Sequence, residues 1–388
     1  MTTSSTPRVV TNAKLVLPDQ VVTASLFFDQ DRIAAIDHDR SSSAEVIDGT
    51  GLTICPGFID VHIHGSNGVD TMAATGDDLL RTSVWLSSQG ITGWMPTLVP
   101  GSTEEYRQAV SAIDSAAGSE KGARILGVHY EGPFVNSARC GALRTEFFRT
   151  YTNQSEIDDL PVLDQFRKHL MTLAPEVDGG TDLIGQLTRR GWIVSIGHTS
   201  GSFDVLDRAL SAGARHMTHF MNAMSSLHHR SPGPVGWGLL HDDVTCDVIA
   251  DGVHLDPRTL KLLMKIKGAE RLVLISDAIA AAGLGDGVYN IWNESITVKN
   301  GRTSNQRGSI AGSVISMLDA VHLMRSLGVT EVELARMSAT NPARLLGIEN
   351  DCGSIEVGKR ADLVAIDDVG KVRFTMVGGE IVYPQSRY

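Results

Sequence analysis

Clustered basic residues are missing from this 388-residue chain, in which 45 Asp and Glu outnumber 34 Lys and Arg for a formal net charge of −11. Nucleic acids and anionic membrane surfaces are held by runs of Lys and Arg, so neither is expected as a partner, although a local basic pocket stays open. Long apolar runs are equally absent. A membrane span needs about 20 predominantly apolar residues, and charged residues interrupt the apolar runs here. The start, Met1 to Arg8, lacks the basic segment followed by an apolar one that marks a leader. The expectation is a soluble, cytoplasmic protein. Cysteine is scarce as well: Cys55, Cys140, Cys246 and Cys352 lie far apart, without the spacing of a metal finger or a disulfide framework, and read as buried or incidental thiols. There is no low-complexity tract and no internal repeat beyond an alternation of strands and helices.

What is present begins with Pro56-Gly57-Phe58-Ile59-Asp60-Val61-His62-Ile63-His64-Gly65. Alternate residues of a strand face one side, so the imidazoles of His62 and His64 converge, and imidazole is the commonest protein ligand for divalent transition metals. Two hydrogen-bonded histidines on a half-buried strand would read the same way at this point.

Eight segments rich in β-branched and apolar residues follow position 57: Phe58 to His64, Ile91 to Val99, Ile125 to Glu131, Leu170 to Glu176, Ile193 to His198, His216 to Asn222, Thr245 to Ala250 and Arg271 to Asp277. Between them lie helical periodicities, clearest in Phe203 to Ala212, where Val205, Leu206, Ala209 and Leu210 share a face behind a serine able to cap. Parallel strands alternating with helices predict an α/β fold, a (β/α)8 TIM barrel of roughly 250 residues. The flanks differ. Val9 to Val16, Val21 to Phe28 and Arg32 to Asp37 read as short strands with turns, as do Gly358 to Ile366, Val372 to Val377 and Ile381-Val382. They predict one small β-sandwich domain made by both termini (1–56 and 355–388), interrupted by the barrel (57–354).

In such barrels the chemistry sits at the C-terminal ends of the strands, and His62, His64, Glu131, Glu176, His198, His219, Asn222 and Asp277 all fall there. The four histidines with Glu131 and Asp277 suit one or two divalent ions, and a carboxylate such as Glu131 can bridge a pair of them. Any single member could be structural, but buried unpaired imidazoles and carboxylates are costly, and a cation compensates for them. Asp277, beyond the histidines, is placed to move protons between a water and a departing amine, which is hydrolase logic. A second polar group comprises Asn222-Ala223, Leu227-His228-His229-Arg230 and Asp251-Gly252-Val253-His254. An arginine fork and a histidine donor suit a phosphate; either residue could instead be a surface ion-pair partner.

With Glu131-Gly132-Pro133-Phe134, Leu173-Ala174-Pro175-Glu176, Phe220-Met221-Asn222-Ala223-Met224 and Ser276-Asp277-Ala278 added in order, the chain resembles the amidohydrolase superfamily and, within it, the N-acetylglucosamine-6-phosphate deacetylase family. The likeness spans nearly the whole chain. Pro-Gly-Phe-Ile-Asp is common to the superfamily, whereas His-His-Arg and Asp-Gly-Val-His are specific to the deacetylases. The resemblance implies that Glu131, His198 and His219 bind a principal metal, that His62 and His64 permit a second, and that Asp277 is the catalytic acid and base and also a metal ligand. Zinc is the first expectation, with Fe, Mn and Co equally suited to His and carboxylate ligands. It also implies an amino sugar phosphate substrate, with the 6-phosphate held by His254 and Arg230, assisted by Asn222 and the Ala223 backbone, and with Ala142 in the substrate-binding set. In relatives the arginine reaches across an interface, so a homodimer is implied. One departure stands out: the family usually follows Gly-Ala with His or Gln, but here Gly141-Ala142 is followed by Leu143. Either the second metal polarises the acyl carbonyl, or Arg144 substitutes, or the acyl group or sugar differs.

Two other functions compete. A cyclic-amide hydrolase of the superfamily would carry a metal-bridging carboxylated lysine at a strand end, and no strand end here offers one. A non-catalytic scaffold on the same barrel would be expected to have lost ligands, whereas this set is intact.

Overall fold

The first barrel strand, Phe58–Ile63, is buried on both faces, as a parallel strand must be when side chains fill the barrel on one side and helices cover the other. This computed structural model describes residues 8–37, 45–164 and 167–384; the reading of the chain start falls on residues 1–7, outside them. The remaining barrel strands are Ile91–Leu98, Gly127–Glu131, Lys168–Leu173, Ile193–Ile196, His216–Met217, Thr245–Ile249 and Leu272–Ile275, each parallel to the next. The ring closes between the last and the first, where the Asp277 N–H donates to the His62 carbonyl at 2.9 Å and the His64 N–H to the Ala278 carbonyl at 2.8 Å. The (β/α)8 barrel expected from the alternation is therefore the fold.

Most strands stop sooner than the apolar pattern suggests. His216 to Asn222 contributes only His216–Met217, and the fourth strand ends at Leu173, leaving Glu176 in the following loop. The reason is local. At His198, His219 and Asp277 the backbone swings to φ values of 48°, 31° and 49°, a left-handed conformation that no ladder accepts.

Phe203–Ala212 is a helix with the expected bounds, ended by Gly213 at φ 119°; Ser202 precedes it in extended conformation, but its hydroxyl makes no capping bond. Two earlier helices are capped instead: Thr75 and Asp78 form a capping box for Gly76–Ser88, and Ser102 and Glu105 one for Thr103–Ala116. Among the described residues, no helix is long and apolar enough to cross a membrane.

Strands of both termini share one sheet, in the order Glu380–Tyr383, Val372–Val377, Leu363–Asp367, Leu52–Pro56, Arg8–Val16, Val21–Asp29 and Arg32–Asp37, with Glu45–Asp48 also beside Arg8–Val16. The far edge does not stay open. Ile33 exchanges backbone bonds with Gly358 and Lys359, each at 2.8 Å, and the Ala361 N–H reaches the Asp31 carbonyl at 2.8 Å. The sheet is thus curled around a core that includes Leu15, Leu26, Ile54, Leu363 and Phe374. A three-stranded sheet, Gly287–Ile291, Glu294–Lys299 and Arg302–Ser304, was not anticipated from the sequence; it follows the eighth barrel strand, and Ile296-Thr297-Val298-Lys299 alternates between buried and exposed as a strand with one open face does.

Asp362 ties the terminal sheet to the barrel. Its carboxylate accepts from Arg124 Nη2 and from the Gly378 N–H, both at 2.7 Å, and its carbonyl accepts from the Gly57 N–H at 2.9 Å. Asp362→Ala leaves the first two donors unpaired, and urea unfolding is expected to show a loss of about 1–3 kcal/mol; an unchanged midpoint would remove Asp362 from this role.

Candidate active site

The site is built where the barrel strands end. His62 is the last inward residue of the first strand, and His64 lies just past it; their Nε2 atoms are 3.1 Å apart. Glu131 ends the third strand. Its Oε1 is 2.9 Å from both His198 Nε2 and His219 Nε2, themselves 3.1 Å apart, and its Oε2 is 3.2 Å from His64 Nε2. Asp277 Oδ1 faces the first pair, 3.4 Å from His62 Nε2 and 3.3 Å from His64 Nε2. All six side chains are buried. Burial by itself would raise the Glu131 carboxyl, but hydrogen bonds from His198, His219 and His64 overcome it and hold the group well below the usual carboxylate range.

Two sets of donors could each hold an ion: His62, His64 and Glu131, and Glu131, His198 and His219. The fit is chemical as well as spatial. Donors about 2.0–2.1 Å from a tetrahedral ion lie roughly 3.3 Å from one another, close to the separations seen. Paired imidazole nitrogens pointing at each other repel unless a proton or a cation lies between them. His198 is oriented by its Nδ1, which meets the Arg139 carbonyl at 2.7 Å, the second bond that metal-binding imidazoles commonly make. The Nδ1 atoms of His62, His64 and His219 are buried without a partner, so packing and whatever Nε2 faces orient those rings. His198, His219 and Asp277 pay for their aim with left-handed backbone, a strain that proteins concentrate at functional sites.

Beneath the donors the barrel interior is polar. His129, next but one before Glu131, bonds the Val61 carbonyl at 3.1 Å and Thr172 Oγ1 at 2.8 Å, and burial pushes its imidazole down to about 3. It is neutral and structural. Asp60, on the first strand, has a similar structural role, accepting from Ser276 Oγ at 2.5 Å, with burial pushing its carboxyl up to about 7. Glu176 turns out to brace a loop: its carboxylate accepts from Thr199 Oγ1 and the Ser200 N–H, both at 2.6 Å, and from Asn136 Nδ2 at 2.8 Å.

A cavity of about 290 Å³ opens over the donors, and Ala142, Leu143, Asn222, Ala223 and His254 line it. Asp251 Oδ2 meets His254 Nδ1 at 2.7 Å, leaving Nε2 for a ligand. Burial raises the Asp251 carboxyl, but the His254 contacts outweigh that and hold it low. Arg230 is not brought to this cavity. It is exposed, with Nη1 2.8 Å from His229 Nε2. Arg144 does not substitute for the missing donor at 143 either, because its guanidinium pairs with Glu105 at 2.8 Å and lies over the Phe147 ring. Trp292, Ser309, Ile310 and Gly312, which sequence reasoning missed, also line the cavity. They come from the segment holding the unanticipated three-stranded sheet; the signal that could have found it was the alternation of Ile296-Thr297-Val298-Lys299.

The amidohydrolase family pattern matches residues 53–382. An N-acetylglucosamine-6-phosphate deacetylase of Bacillus subtilis is 37% identical over 352 residues, covering 88% of this chain and 87% of that protein. An N-acetylgalactosamine-6-phosphate deacetylase of Escherichia coli O157:H7 is 35% identical over 330 residues, covering 84% and 87%. Among solved structures, the N-acetylglucosamine-6-phosphate deacetylase of Thermotoga maritima superposes with a TM-score of 0.87 at 32% identity, over 97% of this chain and 99% of its own. A mutant of the Mycobacterium smegmatis deacetylase, in complex with N-acetyl-D-glucosamine-6-phosphate, gives 0.89 at 30% identity, over 97% and 100%. The chain belongs to the amidohydrolase family, in its N-acetylglucosamine-6-phosphate deacetylase branch.

Proposed function

We propose that the protein hydrolyses the N-acetyl group of N-acetylglucosamine 6-phosphate, giving glucosamine 6-phosphate and acetate. One observation carries the reading: a complete set of converging His and Glu donors with Asp277 beside it forms the floor of a cavity that His254 bounds. One or two divalent ions per chain, zinc first, belong to this reading, with His62, His64, Glu131, His198, His219 and Asp277 as the residues that would hold them. A bound ion lowers the pKa of water and polarises a carbonyl. The chain's own contribution is positional. Asp277 takes the proton of the water that attacks the acetyl carbon and returns it to the amine nitrogen as the C–N bond breaks. His254, its Nδ1 fixed by Asp251, presents Nε2 to the 6-phosphate, with Asn222 and Ala223 beside it and Ala142 on the acyl side.

Arg230 completes the phosphate site in this reading from a second subunit, since in its own chain it is exposed and does not line the cavity; a homodimer follows. The terminal strands (1–56 and 355–388) form a supporting β-unit for a catalytic barrel (57–354), a division supported by the curled terminal sheet. Cytoplasmic location goes with the substrate class, because a sugar phosphate does not cross a bilayer unaided. The E. coli relative makes the 4-epimer the competing sugar, so both N-acetylhexosamine 6-phosphates belong in the assay, read by free-amine release.

Elemental analysis of protein purified without chelator is expected to find one to two divalent transition ions per chain; near-zero metal with full activity would end the metal assignment. Asp277→Asn should keep the fold and most of the metal yet lose about two to four orders of magnitude in kcat, and a variant retaining more than a tenth of wild-type turnover would show the assignment wrong. Arg230→Ala and His254→Ala are expected to raise KM far more for the phosphorylated sugar than for the unphosphorylated one, each removing a contact worth about 1.5–3 kcal/mol. Mixing Arg230→Ala with Asp277→Asn subunits should restore some of the activity if the arginine serves the neighbouring site. Equal losses on both sugars would place these residues elsewhere.

A further inference from the structure

The cavity has two chemically different ends, and the order of the barrel strands separates them. Asn222 and His254 follow the sixth and seventh strands, whereas Ala142 and Leu143 follow the third. Trp292 reaches back over the first strand. Its ring meets that of His64 edge-on, with centroids 5.2 Å apart at 78°, and its Nε1 donates to Asp70 Oδ1 at 3.3 Å. A substrate amide held beside Asp277 with its phosphate at His254 must send the acyl chain toward the opposite rim. That rim is apolar: Ala142 and Trp292 pack into the same cluster as Ile291 and Ile296, and the buried side chain of Leu143 lines the cavity where a polar one was expected.

The backbone that carries Trp292 is an independent sign. Trp292 and Asn293 form the two-residue turn between Gly287–Ile291 and Glu294–Lys299, with Ile291 opposite Glu294 and φ values of 56° and 61°. Turns of this kind select Asn and Gly, which tolerate positive φ. A bulky aromatic residue in the first position is disfavoured, and such strain persists where the surroundings over-determine it, often at ligand clamps. Nothing in the hairpin itself calls for tryptophan there; the ring is what the position delivers.

We propose that Trp292 determines acyl specificity: its indole, braced by Asp70 and His64, is the fixed end wall of the acyl pocket and admits acetyl while excluding longer straight-chain acyl groups. The inference rests on the deacetylase reading for the placement of phosphate and carbonyl, and adds the residue that selects the group removed. The indole cannot retreat without losing the Asp70 bond, so each extra methylene meets a rigid wall.

The test compares wild type, Trp292→Ala and Trp292→Phe on N-acetyl, N-propanoyl and N-butanoyl glucosamine 6-phosphate. In wild type, kcat/KM is expected to fall by about 10- to 200-fold per added methylene. Trp292→Ala should bring the butanoyl and acetyl values within about ten-fold of each other, and Trp292→Phe should keep the preference for acetyl. Calorimetric titration of metal-loaded protein with acetohydroxamate and butanohydroxamate reads the same wall with no sugar present, and Trp292→Ala should shift the binding ratio toward the longer chain. The proposal is overturned if Trp292→Ala loses activity equally on all three substrates and leaves the hydroxamate ratio unchanged, or if wild type does not discriminate acyl length. Failure of wild type to release amine from any of the three would sink the deacetylase reading instead, and the hydroxamate ratio would still decide Trp292.

Discussion

One buried carboxylate organises this active site. Glu131 lies within hydrogen-bonding reach of His64, His198 and His219 at once, and its charge is held in place by those contacts against the cost of burial. An anion in that position draws two pairs of imidazoles toward each other, and imidazole nitrogens brought that close need a proton or a cation between them. The capacity of the site to hold a metal therefore does not rest on any one histidine. It follows from placing a shared carboxylate at the end of the third strand, between residues from the first, fifth and sixth strands.

The same constraint reaches into the fold. The seam between the last and first strands is closed by the backbone of the functional residues themselves, Asp277 to His62 and His64 to Ala278. Asp277 cannot shift relative to the first histidine pair without opening the barrel. Below the donors, the interior is a hydrogen-bonded plug in which Thr172 meets His129, Thr218 meets Thr172 and Ser195, and His216 meets Asp247. Satisfied polar networks of this kind are rigid, because every member loses a partner if one moves. A rigid floor suits chemistry that depends on a carboxylate and a water being held at hydrogen-bond distance.

Above the floor, the cavity contrasts a polar side, with His254 fixed by Asp251, and an apolar rim of Ala142, Leu143 and Trp292. The exchange of a polar side chain for Leu143 fits this division. Arg144, the nearest cation in sequence, is engaged by Glu105, which in turn caps the helix Thr103–Ala116.

Sequence by itself named His62, His64, Glu131, His198, His219 and Asp277, the side chains that the structure brings together. Alternation put His62 and His64 on one side of a strand, apolar runs ending in Glu131 and Asp277 marked barrel strands, and the helix Phe203–Ala212 followed from one-face spacing. These are local signals, set by a period of two or of 3.6 residues. Tertiary structure decided what no local pattern encodes. The left-handed turns at His198, His219 and Asp277 end the strands early where the side chains converge, a placement that no local pattern of apolar residues marks. Glu176 has the same strand-end signature as Glu131 yet braces a loop, a difference fixed only by which neighbours the barrel brings to it. Trp292 stands far from His64 in sequence, on a hairpin with one exposed face, and only closure of the barrel brings its ring against the imidazole.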